Sequence, residues 1–221
     1  MRRILFLLTI GLGGVATLIW LGVWQLQRLE WKESMLADIE ARIAAAATEL
    51  PLAPQKDDDN YMPVVFTGTP TETELRVLSS GTDAGTGYRV ISAWVVGDRR
   101  ILVDMGIIPL AATNTGPHLV TQTVQGNMLW PDDAAEKSPA PEGDLWFARD
   151  ASAMAAELGT EPFMVVLRAS DNPDPRLIPV PVNKSGISNN HMEYAITWFL
   201  LAIVWAAMSA FFFYRTSKKE I

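Results

Sequence analysis

The chain has 221 residues, with 18 Lys and Arg against 25 Asp and Glu, two histidines and no cysteine. The lack of cysteine excludes disulfides, thiolate metal sites, c-type heme attachment and cysteine catalysis. Residues 28–188 hold 13 basic and 23 acidic side chains, which leaves a net charge of −10 and no basic stripe, and this argues against nucleic-acid binding.

Two long apolar runs predict membrane-spanning helices. Residues 4–26 contain one amide side chain, Gln25, and no charge, and residues 194–213 also contain no charge. Each run reaches the roughly 20 residues that a helix needs to cross about 30 Å of hydrocarbon. The first run is too long for a typical signal-peptide core and lacks a clear A-x-A cleavage site, so we expect an uncleaved anchor. The predicted spans are residues 4–26 and 191–213.

Basic residues at the two ends predict the orientation. Two arginines precede the first run and three basic residues follow the second: Arg2, Arg3, Arg215, Lys218 and Lys219. Because Lys and Arg near membrane ends favour the cytoplasmic side, we expect both termini, including the tail 214–221, in the cytoplasm. Residues 27–190 then face outward. No Arg- and Ser-rich transit segment precedes the first helix, so we expect a bacterial inner membrane with the main domain in the periplasm.

The first helix is expected to continue past the membrane. The segment "RLEWKESMLADIEARIAAAATELP" repeats apolar residues at helical spacing and is rich in helix formers. We expect this helix to end near Glu49, before Pro51. The following "APQKDDDN" is interpreted as a solvated loop, because Asp57, Asp58 and Asp59 lack the alternating spacing and the glycine of a calcium loop.

The middle of the chain predicts β-strands. Seven runs rich in β-branched residues are bounded by Gly, Pro, Asp or Asn: "YMPVVFTGT", "ELRVLSS", "YRVISAWVV", "RILVDMGIIP", "LVTQTVQGNML", "PFMVVLRA" and "RLIPVPV". Gly97 and Asp98 predict a hairpin turn. One helix interrupts the strands in "DASAMAAELG", with Asp150 as its N-cap and Gly159 beyond its C-terminal end. The predicted fold class is α+β: two transmembrane helices flanking a mostly antiparallel, β-rich extracytoplasmic domain with one or two helices.

The sequence offers little to a catalytic mechanism. His118 follows the loop signature "TNTGP" and is interpreted as a surface residue. No G-x-S-x-G motif is present to mark a nucleophilic serine. The glycines of "GTDAGTGYR" lead into a strand and lack the Lys-Ser pair of a phosphate loop. The residues alone therefore indicate no catalytic site.

Aromatic residues form stripes on both predicted membrane helices. At about 100° per residue, the stripe on the second helix consists of His191, Ala195, Trp198, Ala202 and Trp205. The stripe on the first helix consists of Trp20, Trp24, Gln27 and Trp31. Antiparallel helices would place Trp24 and Trp20 at the depths of His191 and Trp198. The two alanines would leave room for a flat ligand. The alternative is that the aromatic residues are ordinary anchors at the membrane interface.

His191 stands at the predicted start of the second helix. Asn190 and Glu193 have the spacing of a capping box, which would begin the helix at His191. The positive end of a helix lowers the proton affinity of an imidazole, and the neutral imidazole is the form that ligates iron. A plain interfacial histidine is the alternative, and these residues alone favour it.

Two segments resemble the surfeit locus protein 1 family: "LGVWQLQRLEWKESMLADIEAR" after the first span and "NNHMEYAITWFLLA" at the start of the second. Looser matches in "GYRVISAWVV", "RRILVDMGIIP" and "DLWFARDASAMAAELG" extend the resemblance over nearly the whole chain. It implies two helices, a periplasm-facing domain, no enzyme activity, and a role in assembling cytochrome c oxidase and related heme-copper oxidases. The partners it implies are cytochrome c oxidase subunit I, heme a synthase and the membrane.

The resemblance also implies a site for heme a. The family's heme-associated histidine matches His191, which would ligate the heme iron, and the first-helix motif matches Trp24, Arg28 and Trp31. The candidate cofactor-binding residues are His191, Trp24, Arg28, Trp198 and Tyr194. Arg28 and Lys32 lie one turn apart and would meet the heme propionates, with ordinary snorkelling to the membrane surface as the alternative.

The chain departs from the family pattern at three positions. Met105 and Ile107 stand where the family usually has an arginine and an aromatic residue, which puts the usual role of that hairpin, such as a partner contact, in doubt. Glu193 replaces a frequent glutamine, although its helical position faces away from the stripe. Two alternative functions stay open: an oxidase assembly chaperone that does not bind heme, and a membrane-tethered binding module unrelated to oxidases.

Overall fold

The computed structural model describes residues 2–82, 85–110, 112, 116–131, 133, 137–184 and 187–218. The helices and strands follow the chain as α1 (Arg2–Ala44), β1 (Thr48–Glu49), α2 (Lys56–Asp59), β2 (Pro63–Thr82), β3 (Gly85–Val96), β4 (Arg99–Pro109), β5 (Gln122–Leu129), β6 (Leu145–Trp146), α3 (Ala151–Leu158), β7 (Met164–Ser170) and α4 (His191–Ser217). They form two compact units: Met1–Asp38 with Lys184–Ile221, and Ile39–Asn183. Long terminal helices flank a β-rich domain with a small helix, so the predicted α+β class is confirmed.

The first unit consists of two helices, α1 and α4, each long and apolar enough to cross a membrane by length and composition. They lie antiparallel, because Gln25 meets His191 near one end and Gly11 meets Ser209 near the other. A Cβ atom built on Gly22 would lie 2.7 Å from the ring of Phe199. Glycine thus gives the aromatic side chain of α4 room to approach α1, as small residues do at interfaces between membrane helices.

The end of α1 differs from the prediction. The helix was expected to reach about Glu49, but it ends at Ala44, and β1 pairs in parallel with β2, with Thr48 opposite Val64. The last carbonyl groups of a helix have no partner within it. Here the carbonyl of Ile43 accepts a hydrogen bond of 3.2 Å from Asn127 Nδ2. Tertiary contacts therefore stop a segment whose residues favour continuing the helix.

The second unit is built around a sheet whose pairings return to their starting strand. β2 pairs with β5 through residues 63–68 and with β3 through residues 69–82. β3 pairs with β4, β4 with β7 and β7 with β5, which closes the sheet into a barrel. The β4–β7 pairing in this circuit is parallel and the others are antiparallel, so the mostly antiparallel prediction holds. Closure leaves the paired strands without free edges between them.

The long strand β2 joins two runs that the sequence suggested were separate strands. Its pairing with β3 shifts register between Pro70 and Glu74, a bulge that bends the strand. The change of partner from β5 to β3 falls between Gly68 and Thr69, just before this shift. Sequence patterns place strands but do not reveal which strand is shared by two partners.

Apolar side chains fill both faces of the central strands. The barrel interior holds Trp94 and Phe66, whose rings meet edge to face at 6.2 Å, together with Val64, Val90, Ile101, Val103, Met105, Ile108, Val124, Met128, Phe163, Val165 and Leu167. A second cluster lies on the outer face, where Met154 and Leu158 of α3 cover Ile91 and Leu102. Buried clusters on both faces explain why β3 and β4 read as nearly continuous apolar runs.

Local signals were accurate in this domain. The predicted hairpin turn is present, with Gly97 at φ +58° between β3 and β4. α3 begins where the Asp150 carboxylate accepts a 2.9 Å hydrogen bond from the Ala153 N–H and ends at Gly159 in the left-handed conformation. The cap and the terminal glycine are short-range features, so the sequence alone was enough to find them.

Two other predictions in this domain were wrong. Residues 176–182 do not form a strand: Ile178 makes an isolated bridge to Ile107, and Pro179 and Pro181 have no N–H to continue a ladder. The "KDDD" segment forms the one-turn helix α2 instead of an open loop, with the Asp59 carboxylate accepting a 2.7 Å hydrogen bond from the Gln55 N–H.

A buried ion cluster links β2 to the segment after β7. Arg176 Nη2 lies 2.6 Å from an oxygen of Glu74 and 2.6 Å from an oxygen of Asp174. All three side chains are at most 7% exposed. Burial by itself would raise the pKa of Asp174, but the hydrogen bonds and charge of Arg176 outweigh burial and hold that pKa below its ordinary value.

Candidate functional site

His191 is the first residue of α4, as predicted, and its ring is half-buried. The predicted capping box is not formed, because no side-chain cap hydrogen bond from Asn190 is present in the described structure. Asn190 has φ −99° and ψ 15°, whereas a capping side chain needs a more extended backbone. Glu193 is exposed, in agreement with the expectation that it faces away from the stripe.

The imidazole of His191 is hydrogen-bonded to Gln25 of α1. Nδ1 lies 2.8 Å from the amide oxygen Oε1, and Gln25 is only 9% exposed. The sequence reasoning noted Gln25 only as the lone amide of its run and missed this role. A signal was present, since polar side chains within membrane segments are costly and usually functional. The structure thus adds a residue to the site.

Trp198 lies on the same face of α4 as His191, seven residues and about 10 Å further along the helix. Its indole is half-buried, and Nε1 is buried without a hydrogen-bond partner among the described residues. Oδ1 of Asn189, two residues before His191, is also buried and unpartnered in the described structure. Buried polar atoms are normally paired, so both atoms lack the partner that such atoms usually have, although neighbouring atoms cover them.

The alanines of this stripe do not offer the expected surface. Ala195 and Ala202 are 1% and 5% exposed. Neighbouring atoms already cover both residues, so a flat ligand cannot lie on them as the sequence suggested. The expectation came from helical spacing, which identifies a shared face but does not say what packs against it.

The tryptophans of α1 lie on its outward face. Among the described residues of α1 up to Asp38, the buried ones are Gly11, Gly22, Gln25 and Leu29. Trp24 is 43% exposed, and a step of about 100° separates it from Gln25 around the helix. Trp24 lies next to Gln25, the hydrogen-bond partner of His191, so Trp24 and His191 are at similar positions along the helix pair, as expected. The exposed Trp24 side chain, however, does not point toward α4.

Arg28 and Tyr194 are also exposed. The Arg28 guanidinium stacks on Trp31, 4.5 Å from the ring centroid, and Tyr194 is 54% exposed on α4. No hydrogen bond or ring contact joins Trp24, Arg28 or Tyr194 to His191 within the described part of the chain. Of the five candidate residues, only His191 and Trp198 are half-buried, and these two lie on the same face of α4.

The other residues singled out by sequence belong to the β-domain. Met105 and Ile107 are 2% and 0% exposed, so their side chains are core residues and present nothing to a partner. His118 lies in a loop as predicted, but its ring is half-buried and its charge interaction with Asp174 is one of the influences that lower the Asp174 pKa. No group of three or more His, Asp or Glu side chains suited to a metal ion occurs among the described residues.

These features define a class: a protein with two helices suited to a membrane, a small β-barrel domain, and a histidine–amide pair between the helices. The model of the SURF1 family matches residues 12–203, and the chain belongs to that family.

Curated relatives agree. A SURF1-like protein of Rickettsia felis is 32% identical over 209 residues, covering 84% of this chain and 87% of that protein. Surfeit locus protein 1 of Rattus norvegicus is 29% identical over 210 residues, covering 83% and 68%. The human protein of the same name is 26% identical over 216 residues, covering 82% and 69%. The matched family range includes both Gln25 and His191.

Proposed function

We propose that this protein is an assembly factor for heme-copper cytochrome c oxidase that holds heme a during maturation of subunit I. Membership of the SURF1 family supports the assembly role. The observation that carries the heme part is the state of His191. The ring nitrogen Nδ1 is hydrogen-bonded to Gln25, and the other ring nitrogen, Nε2, makes no hydrogen bond among the described residues.

The residues around His191 suit a heme. The neutral imidazole nitrogen of His191 would ligate the heme iron. Trp198 and Asn189, on either side of His191 in the chain, carry buried polar atoms without partners among the described residues, so they would meet the cofactor only after the atoms that cover them move. Heme a is largely apolar, with a tail suited to lipid and propionates suited to the membrane interface. Arg28, exposed beside Trp31, and Lys32 are the basic residues proposed to meet those propionates.

The role assigned to the protein is to hold and present the cofactor, with no reaction of its own. When bound, the heme supplies an iron centre that is destined for the oxidase. The protein contributes a nitrogen ligand and an apolar environment. The proposed partners are cytochrome c oxidase subunit I, which receives heme a, and heme a synthase, which produces it.

The proposed location is a bacterial inner membrane, with both termini in the cytoplasm and the β-domain in the periplasm. Basic residues flank both helices at the chain ends. The similarity to a Rickettsia protein supports a bacterial setting. Reporter fusions check the orientation: a reporter after Lys219 should be active in the cytoplasm and one inserted near Asp58 outside it, and the reverse pattern would refute the assignment.

The heme proposal is tested by purifying the protein from cells that synthesise heme a. Wild type should copurify heme with a Soret band. His191→Ala should lose most of that heme while still accumulating in the membrane, because the apolar surroundings do not replace an iron ligand. His118→Ala is the matched control and should retain heme. Full heme occupancy and an unchanged spectrum in His191→Ala would refute the ligand assignment.

A deletion strain separates the heme-holding role from a heme-independent chaperone. Deletion of the gene should lower active oxidase, and the His191→Ala gene should fail to restore it. Full restoration by His191→Ala would favour a chaperone that acts without heme. Normal oxidase in the deletion strain, with no second family copy in the genome, would refute both assembly roles.

A further inference from the structure

We infer that Gln25 is a positioning residue that holds His191 in the tautomer protonated at Nδ1, so that Nε2 keeps its lone pair free for a metal centre. That Nε2 meets heme iron rests on the proposed function. The state of the imidazole itself does not, and it can be measured in the protein without cofactor.

The inference follows from which atoms face each other. Gln25 presents Oε1 to His191 Nδ1 at 2.8 Å. An amide oxygen can only accept a hydrogen bond, so Nδ1 has to carry the proton. A neutral imidazole has one N–H, and with that proton on Nδ1 the other nitrogen is a bare acceptor. The second ring nitrogen is therefore in the form that binds a metal.

The surroundings keep this pair together. Gln25 is 9% exposed on a helix otherwise suited to hydrocarbon, where its amide oxygen has few competing donors. Three residues earlier, Gly22 lets the Phe199 ring approach closely, which fixes the spacing of α1 and α4 beside the pair. The hydrogen bond is thus formed before any ligand binds.

A simpler explanation is that Gln25 only joins the two helices. Polar side chains often form such bonds in membranes. The two explanations differ in the role of the proton, because helix joining works with either imidazole tautomer, whereas positioning requires one. A metal-bound histidine normally donates its other N–H to an acceptor, which fixes the ring and raises its basicity. Gln25 occupies that acceptor position.

The first experiment measures the tautomer in the full-length protein without heme, in lipid nanodiscs. His118→Ala leaves His191 as the only histidine for ¹⁵N labelling. At alkaline pH, ¹⁵N NMR should show Nδ1 protonated and Nε2 bare. Gln25→Met, similar in length but with only a weak thioether acceptor, should lose this preference. Gln25→Glu should retain it.

The second experiment adds heme a to the same three proteins. The apparent dissociation constant of Gln25→Met should rise about 10- to 100-fold, the usual cost of removing a partner of a metal ligand. Gln25→Glu should restore binding. The midpoint potential of the bound heme should be higher in Gln25→Met than in wild type, because the ligand donates less electron density.

The outcomes separate this inference from the proposed function. Protonated Nε2 in wild type would overturn the inference, and so would an unchanged tautomer and affinity in Gln25→Met. If wild type shows the expected tautomer but does not bind heme a, the proposed function fails and the positioning of His191 by Gln25 stands. If heme a binds through His191 in a protein whose tautomer is the opposite one, the proposed function stands and the inference fails.

Discussion

The helix pair and the β-barrel are stabilised in different ways. In the barrel, strand pairing runs through a closed circuit, and residues such as Trp94 and Ile101 are at most 1% exposed. The helix pair exposes most of its apolar surface, and its close contacts in the described structure include a few glycine positions, the Gln25–His191 hydrogen bond and a 3.4 Å hydrogen bond from Trp205 Nε1 to the Ile10 carbonyl. The barrel therefore depends on its core, whereas the helix pair depends on a few contacts, and one of them belongs to the candidate site.

The largest expected effect is on the barrel. Trp94→Ala removes a 1% exposed side chain that packs on Phe66, and it should lower the free energy of unfolding by about 3–5 kcal/mol. Val95→Ala, at a position that is 42% exposed, should change it by at most about 0.5 kcal/mol. Denaturant unfolding of the full-length protein in detergent, followed by tryptophan fluorescence, measures both. Equal effects would contradict the core described for this domain.

The next effect should appear in the helix pair alone. Gly22→Leu adds a side chain where even a Cβ would lie 2.7 Å from the Phe199 ring, and overpacking of this kind costs about 1–3 kcal/mol. The helices should move apart and heme a binding should weaken at least about tenfold. Gly13→Leu is the control, since among the described atoms nothing lies within 4 Å of a Cβ at Gly13.

Because the chain has no cysteine, spin labels on introduced cysteines at Trp31 and Glu193 can report the helix separation directly. An unchanged distance in Gly22→Leu would contradict the close packing at this glycine. A barrel that loses stability in the same variant would contradict the separate behaviour of the two units.

Acid should destabilise the barrel through Asp174. Its pKa is lower in the folded protein than in the unfolded chain, so its contribution to stability is complete above the unfolded value of about 3.9 and is lost as the pH falls through the lower folded value. Unfolding curves from about pH 5 down to about pH 2 should show this loss in wild type. Asp174→Asn should flatten the curve in that range, and an identical slope in both proteins would contradict the assignment.

The smallest expected effects are at the N-terminal ends of α3 and α4. Asp150→Ala removes an observed cap of α3 and should cost about 1 kcal/mol. Asn190→Ala removes a side chain that makes no cap hydrogen bond in the described structure, and its cost should stay below about 0.3 kcal/mol. Thermal unfolding monitored by circular dichroism measures both, and a cost above about 1 kcal/mol for Asn190→Ala would show that the box forms in solution.

Short-range patterns predicted much of the fold and some of the site. These patterns depend on residues that are close together in the sequence. They include the apolar runs, the Gly97 turn, the caps of α3 and the start of α4 at His191. Predictions failed where distant residues decided the outcome. Asn127 is hydrogen-bonded to Ile43 at the end of α1, and β2 is divided between β3 and β5. The exposure of Trp24 and the burial of Ala195 likewise depend on which helix faces meet.

By itself, the sequence determined that two apolar helices flank a β-rich domain, because period and length are local properties. It also placed the start of the second helix at His191, although the capping box behind that prediction is not formed in the described structure. Only the tertiary structure decided that this histidine faces Gln25, since 166 residues separate the two. Helical spacing assigns each residue to a face of its own helix, but the packing of the two helices determines which faces meet. That packing depends on glycines whose close contacts appear only when both helices are present.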